Sequence, residues 1–234
     1  MRSLEAGSTT VQADPATLRT ALAAIQNQEF SEQGAFYIDG NGDAVFKSRQ
    51  TVQAAAGKVP VEFNNDGTGI SYFDFQPAYD DKLIINQATI TRVGGTAQSY
   101  SDAASVSKYF PHSVNYDNVM VQTDADALNI AKAYVMTRAE TTQRIDSMTL
   151  DLTTPDYAAG IAAALGFGYF QNVHFKNTGQ SGTVIDKTLQ VVGIAHDITP
   201  STWKTTFTLS EPLVDAFILN SAQYGIIGTS AFSY

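Results

Sequence analysis

The chain of 234 residues contains no cysteine. Disulfide bonds, thiolate catalysis and cysteine-ligated zinc are therefore excluded, because each of them requires a thiol. Charge is scarce too, since 16% of the residues are charged and 44% are hydrophobic. Disordered chains are richer in charge and poorer in apolar residues, so the composition predicts a globular protein. A weakly charged surface also favours a subunit that neighbouring proteins cover.

Basic residues are outnumbered, with 14 Lys and Arg against 23 Asp and Glu and a formal net charge of −9. This balance disfavours general nucleic-acid binding and adhesion to anionic membranes, because both need basic side chains. Long apolar runs are missing, and none reaches the ~18 residues of a membrane span. The N-terminal sequence also lacks the apolar region of a signal peptide. We therefore expect no membrane anchor.

Histidine occurs three times, at positions 112, 174 and 196, and none of these forms a zinc motif such as H-E-x-x-H. His196 and Asp197 lie near Ser201, but at a predicted strand end and the turn after it. A catalytic serine instead occupies a strained turn. No spacing marks two carboxylates as a glycosidase pair. We predict a non-enzymatic protein with no catalytic residue, no cofactor and no metal.

The sequence DGNGD at residues 39–43 matches the first half of a calcium loop. A complete loop carries a bidentate Glu at its twelfth position, where this chain has Gln50. The pentapeptide separates two short apolar runs, at 35–38 and 44–46. This pattern predicts a β-hairpin whose turn needs no ion.

The periodicity predicts a strand-dominated α+β fold with antiparallel, barrel-like or sandwich-like domains and inserted helices. An amphipathic helix is expected over residues 17–25, with Asp14 as its N-cap and Leu18 and Leu22 in its apolar stripe. Other helices are expected at 102–109, 123–140 and 155–165, and the 123–140 helix begins with a capping-box pattern at Thr123. The predicted strands cover 83–93, 96–100, 144–152, 169–176, 187–196 and 203–209, and the last three form an antiparallel meander.

Three consecutive regions are predicted. A helix and hairpin occupy residues 1–50, a loop or boundary occupies 51–69, and a mixed α/β domain occupies 70–234 and ends in the meander. The segment 216–234 is apolar and aromatic and carries no charge.

Exposed aromatic residues among polar neighbours are typical of carbohydrate-binding surfaces, and four aromatics at 72–79 come nearest to that pattern. Packing in the core is the favoured interpretation, and an exposed strip of Tyr72, Phe73, Phe75 and Tyr79 would instead favour a carbohydrate-binding module. We predict partner contacts at the hairpin tip and in this aromatic segment, at Gly40, Asn41, Gly42, Tyr72, Phe73 and Phe75.

Several segments, taken in order, resemble the C-terminal part of minor tail proteins of siphophages and prophages. They are the hairpin 34–49; the segments 79–81, 86–92, 94–98 and 102–105; the helix start 123–128; the run 192–200 leading to Trp203 and 209–210; and 217–219 with Gly225 and Gly228. The order of these matches along the chain carries the resemblance. It indicates either a short family member or a fragment of a longer hub protein.

The resemblance implies a baseplate-hub subunit at the distal end of a phage tail. Such a subunit would form a homotrimeric ring, contact tube or distal-tail, tape-measure and receptor-binding proteins, and surround a channel through which DNA passes without specific binding. The acidic composition agrees with such a channel. Two alternatives remain: a carbohydrate-binding host-attachment module, and a tail-associated cell-wall hydrolase, which would need a cleft with close carboxylates or a Ser–His pair.

Overall fold

A computed structural model describes residues 2–15, 18–79, 81–141, 143–153, 157–179 and 184–212. The chain divides into two compact units, each assembled from separate segments. Unit 1 comprises Met1–Ala54, Asp81–Thr141 and Asp215–Tyr234, and unit 2 comprises Ala55–Asp80 and Thr142–Val214. This division differs from the three consecutive regions expected from the sequence. The uncharged segment 216–234 lies outside the described residues.

Unit 1 combines two three-stranded sheets with helices. Its strands are β1 (Arg2–Leu4), β2 (Ala35–Ile38), β3 (Ala44–Lys47), β6 (Gln87–Arg92), β7 (Gln98–Ser101) and β8 (Ser113–Val119). Its helices are α1 (Ala21–Glu32), α3 (Ala103–Tyr109) and α4 (Asp124–Arg138), while α2 (Arg49–Ala56) crosses the division between the units. The sheet orders are β1-β3-β2 and β7-β6-β8.

Unit 2 is built on one six-stranded sheet of order β4-β10-β11-β12-β9-β5. The strands are β4 (Val61–Asn64), β5 (Asp74–Ala78), β9 (Arg144–Asp151), β10 (Asn172–Thr178), β11 (Val184–Ile198) and β12 (Trp203–Ser210). Helix α5 (Ala158–Gly166) contributes Ala163 and Ala164 to the same core as Phe63, Phe175 and Phe207. These large side chains alternate along their strands with polar ones, so the sheet has one buried and one polar face.

The strand-dominated α+β class is confirmed, with three sheets and five helices in the described residues. Each sheet also contains one parallel pair (β1–β3, β4–β10 or β6–β8), so the sheets are mixed rather than antiparallel throughout. No sheet closes into a barrel within the described ranges, because each has two terminal strands. No helix there is long and apolar enough to cross a membrane.

Several local predictions are confirmed. The hairpin β2–β3, the pair β6–β7 and the meander β10–β11–β12 are antiparallel as expected. Helix α4 begins with the predicted capping box, in which the Thr123 side chain accepts from the Asp126 N–H and the Asp126 carboxylate accepts from the Thr123 N–H. These elements were predictable because turn residues and caps act within a few positions.

The predicted helix at 17–25 is wrong in its start and in its apolar face. Helix α1 begins at Ala21 with Thr20 as its N-cap, and Leu18 and Leu22 are exposed. A tertiary contact holds its other end, where Ser31 Oγ accepts a hydrogen bond from the Met120 N–H. Such contacts outweigh local capping signals.

The predicted loop at 51–69 is also corrected, since helix α2 and strand β4 occupy much of it. Strand β4 pairs in parallel with β10, more than a hundred residues further along the chain. Four residues of Val61–Asn64 carry too short a pattern to reveal that pairing from sequence.

Candidate assembly interface

The turn 39–43 uses its acidic side chain to organise its own backbone. Asp39 Oδ1 accepts hydrogen bonds from the N–H groups of Asn41 and Asp43, each at 2.9 Å. The bond from Asp43, with that from Asn41, holds the pKa of Asp39 below its usual value. Gly42 adopts φ +81°, which glycine tolerates without strain. Gly40, Asn41 and Gly42 are exposed at the tip, and their contact role stays a proposal.

The histidines lie on separate elements, and none of them faces a serine among the described residues. His196 Nδ1 lies 2.8 Å from Thr205 Oγ1, and the ring contacts Trp203. The Ser201 N–H instead donates to Thr199 Oγ1 within the turn. In the described part of the chain no group of three His, Asp or Glu side chains is arranged to hold a metal ion.

The aromatic segment 72–79 divides between core and surface. Tyr72 and Phe75 pack against Phe175, with ring centroids 4.7 and 5.1 Å apart. Phe73 and Tyr79 are 62% and 75% exposed. Two of the four rings are therefore in the core and two are at the surface, so the four do not form one exposed strip. Lys204 Nζ also lies 4.6 Å from the centre of the Phe73 ring, so a cation covers one face of that ring.

The longest strand leaves part of its edge without a partner. Strand β11 pairs with β10 only through Val184–Gln190, whereas its pairing with β12 continues to Ile198. Residues 170 and 171 add two backbone hydrogen bonds at Val191. Beyond Val191, no described residue pairs with the side of β11 that faces away from β12. We call residues 193–198 the open edge.

The hydrogen-bonding direction of the open edge follows from its neighbours. The N–H and carbonyl of Val191 point away from β12, and Thr199 N–H bonds to Thr202 O across the hairpin end. A register shift between Val191 and Gly193 reverses the alternation, so the backbone groups of Ile194, His196 and Ile198 point outward. Three outward N–H groups and three carbonyls are thereby presented together, and Ile198 is 67% exposed.

The two terminal strands of the same sheet are protected. On the outer side of β4, Ile70 N–H donates to Glu62 O at 2.9 Å and Ile70 O accepts from Asn64 N–H at 3.1 Å. On β5, Pro77 has no N–H and a register shift separates it from Gln76. Proline and bulges prevent unwanted edge pairing. The open edge contains no proline, and the register shift between Val191 and Gly193 lies at its start and leaves residues 194–198 regularly paired with β12, which makes this edge the best candidate for an assembly contact among the described residues of unit 2.

Comparison with known proteins gives a fold and no sequence family. No family model matches the chain, and no curated protein matches it. Among solved structures, the tail protein from Neisseria meningitidis MC58 aligns with a TM-score of 0.59 at 14% identity, over 90% of this chain and 60% of that one. The prophage MuSo2 43 kDa tail protein from Shewanella oneidensis aligns with a TM-score of 0.54 at 12% identity, over 90% and 61%.

This chain has a phage tail-protein fold. It spans about three fifths of the length of each of these two structures, at 60% and 61%. The tail-protein resemblance seen in the sequence is therefore supported by the fold. The sequence did not single out the open edge. In the structure, β11 has 15 residues and is about twice as long as β10 (7 residues) and β12 (8 residues), whereas the strands predicted at 169–176, 187–196 and 203–209 differ little in length.

Proposed function

We propose that this chain is a non-enzymatic structural subunit of a phage tail tip, of the baseplate-hub type. It joins the tail tube to tip or receptor-binding components at the distal end of the tail, around the channel through which DNA leaves. Its partners are other copies of itself in a ring, most simply a homotrimer, and tube, tape-measure and receptor-binding proteins. The observation that carries the proposal is a strand edge to which no described residue pairs, within a tail-protein fold.

The open edge suits permanent assembly because its backbone groups can only be satisfied by water or by an added strand. Water satisfies them in an isolated subunit. An added strand satisfies them while covering Val192 and Ile198, which are 40% and 67% exposed. In a monomeric protein an exposed strand edge has no role in assembly, and such edges are usually blocked. A ring subunit gains a directional contact.

The decisive experiment compares two substitutions at one position. His196→Pro removes an outward N–H and places a ring against an incoming strand, while the β12 ladder keeps its bonds because that N–H does not point to β12. His196→Ala removes the same side chain and keeps the N–H. We expect the wild type and His196→Ala to form rings in mass photometry at high concentration, and His196→Pro to remain monomeric with unchanged circular dichroism.

A wild-type chain that stays monomeric at every concentration and is a single copy in images of the tail tip would overturn the proposal. Rings formed equally by His196→Pro would leave the hub role intact and refute the open edge as the contact.

A second test concerns the channel. Since the formal net charge is −9, we expect the ring not to retain duplex DNA even at low salt. Retention would contradict a neutral or acidic lumen.

A further inference from the structure

Three neighbouring strands of unit 2 align Glu62, His174 and Asp186 on the polar face of the sheet. His174 Nδ1 lies 2.5 Å from Glu62 Oε2, and its Nε2 lies 2.7 Å from Asp186 Oδ1. A carboxylate oxygen can only accept a hydrogen bond, so both ring nitrogens must donate. Only the doubly protonated imidazolium makes both contacts, because neutral imidazole has a single N–H.

The surrounding charges favour that proton. On the same face, Lys176 stands opposite Asp186 in the register of β10 and β11, and its Nζ lies 3.6 Å from Asp66 Oδ2. The three carboxylates of Glu62, Asp66 and Asp186 therefore surround one lysine and the histidine. Lys187 does not contribute to this face, since it pairs with Glu211 at 2.7 Å. Partial burial acts to lower the pKa of His174, and the hydrogen bonds with Asp186 and Glu62 outweigh it and raise that pKa.

The two carboxylates sit on strands that are held very differently. Asp186 belongs to β11, which pairs with β10 over seven residues. Glu62 belongs to β4, which pairs with β10 over four residues; Phe63 of β4 is fully buried, and Asn65 just beyond the strand exchanges two hydrogen bonds with Thr178. When the ring loses a proton, one nitrogen presents a lone pair to a carboxylate. Because β4 has fewer hydrogen bonds to β10 than β11 has, loss of this contact should favour opening of β4 more than opening of β11.

We propose that His174 is a proton-operated latch: as an imidazolium it bridges Glu62 and Asp186 and stabilises β4 against opening, and on deprotonation β4 opens more often while β10 and β11 stay paired. Opening exposes the backbone edge of β10 between Val173 and Lys176. The fraction of molecules in which unit 2 presents this second edge would then depend on pH. This inference does not depend on the proposed function in the tail.

The direction of the pH effect follows from the raised pKa of His174. Stability contributed by such a group is complete below the pKa of the unfolded chain and is lost as the pH rises through the folded-state pKa. Protection of β4 should therefore decline toward alkaline pH, whereas hydrogen bonds that involve no titrating group should not change. Hydrogen exchange measures the opening of each strand separately, after correction for the intrinsic pH dependence of exchange.

The experiment follows amide exchange at Glu62–Asn64 and, as an internal reference, at 186–188, between about pH 5.5 and about pH 9, a range that spans the ordinary pKa of histidine. In the wild type, the β4 opening equilibrium should rise several-fold across the range, with no change in β11. His174→Gln should open β4 at every pH and remove the pH dependence, and His112→Gln should behave as the wild type. Titration of the imidazole by NMR should place the pKa of His174 above that of the free side chain.

Three results of these measurements would contradict the proposal. Equal exchange of β4 in the wild type and His174→Gln at the acidic end of the pH range would overturn the latch, as would an NMR pKa for His174 below that of the free side chain. Opening of β10 and β11 together with β4 would overturn the claim that β4 alone opens. If His174→Gln folds poorly, Glu62→Gln tests the same contact: it keeps the size of the side chain and should open β4 at low pH.

Discussion

The two units of the chain bury different kinds of side chain. In unit 2, Phe63, Phe175 and Phe207 are fully buried, and the ring centroids of Phe63 and Phe207 are 6.4 Å apart. In unit 1, the buried core residues between α4 and the sheet β7-β6-β8 are all aliphatic and range in size from Ala127 to Ile90. Aromatic side chains fill the space under a broad sheet covered by one short alanine-rich helix, whereas aliphatic side chains suffice between a helix and a narrow sheet.

Unit 1 also relies on buried polar groups to hold its irregular segments. Glu32 is 3% exposed and accepts hydrogen bonds from the Ser8 N–H at 2.7 Å, Ser8 Oγ at 2.9 Å and the Thr9 N–H at 2.7 Å. The Asn86 side-chain amide donates to Ser105 Oγ and to the Phe110 carbonyl, and its Oδ1 accepts from the His112 N–H. Unit 2 buries polar side chains too, Asn172 among them, so the clear difference between the units is in their apolar cores.

The largest expected effect is in the core of unit 2. Phe207→Ala should lower the free energy of unfolding by about 3–5 kcal/mol, because it removes buried apolar surface and leaves a cavity. The matched change in unit 1, Val135→Ala, removes two methyl groups and should cost about 1–2 kcal/mol. Hydrogen exchange at β12 and at α4 measures the loss of stability caused by each substitution separately. Equal costs would contradict the difference in core construction.

The next effect tests the polar contacts of unit 1. Glu32→Gln leaves Ser8 and Thr9 donors poorly matched and should cost about 2 kcal/mol at neutral pH. Burial acts to raise the pKa of Glu32, and the hydrogen bonds from Ser8 and Thr9 lower it further than burial raises it. The stabilisation is therefore present above the unfolded-state pKa and is lost as the pH falls through the lower folded-state pKa.

Urea unfolding measured from neutral to acidic pH provides the readout for Glu32. The difference in stability between the wild type and Glu32→Gln should shrink as the pH falls. The exposed Asp117, changed to Asn, is the control and should leave stability unchanged. If the difference in stability stayed constant at every pH, the charge of Glu32 would not be its cause.

A smaller effect separates the helices of the two units. Thr123→Ala should destabilise α4 by about 1 kcal/mol, since it removes the hydrogen bond that caps the helix. Thr123→Ser keeps the hydroxyl and should retain most of the stability. Helix α5 has no side-chain cap at Tyr157, so its formation depends on packing. Amide exchange in the first turn of α4 reports the change, and equal exchange in both variants would argue against the cap.

The smallest effect concerns Leu18, which lies before the start of α1. Leu18→Ala should change the free energy of unfolding by less than about 0.5 kcal/mol, because the side chain is fully exposed. Phe30→Ala, which removes a ring packed 4.3 Å from Tyr116, should cost far more. Thermal unfolding of the two variants compares them directly. A large loss for Leu18→Ala would restore the amphipathic helix predicted at 17–25.

The sequence by itself determined the features that act over short distances. Thr123 and Asp126 specified the start of α4, and the turn at 39–43 specified the hairpin around it. Trp203, Thr205, Phe207 and Leu209 alternate along β12 as their pattern predicts, and three of the four are buried. Caps, turns and alternation are read within a few residues, so no knowledge of the rest of the chain is needed.

Only the tertiary structure decided which distant segments meet. Strand β4 joins β10 across the chain, and this pairing brings Glu62 to His174. The extent of the open edge likewise depends on where β10 stops pairing with β11. No local pattern encodes these choices, because a strand of four residues fits many partners. Burial of a common apolar face selects one partner, and the fold alone reveals the result.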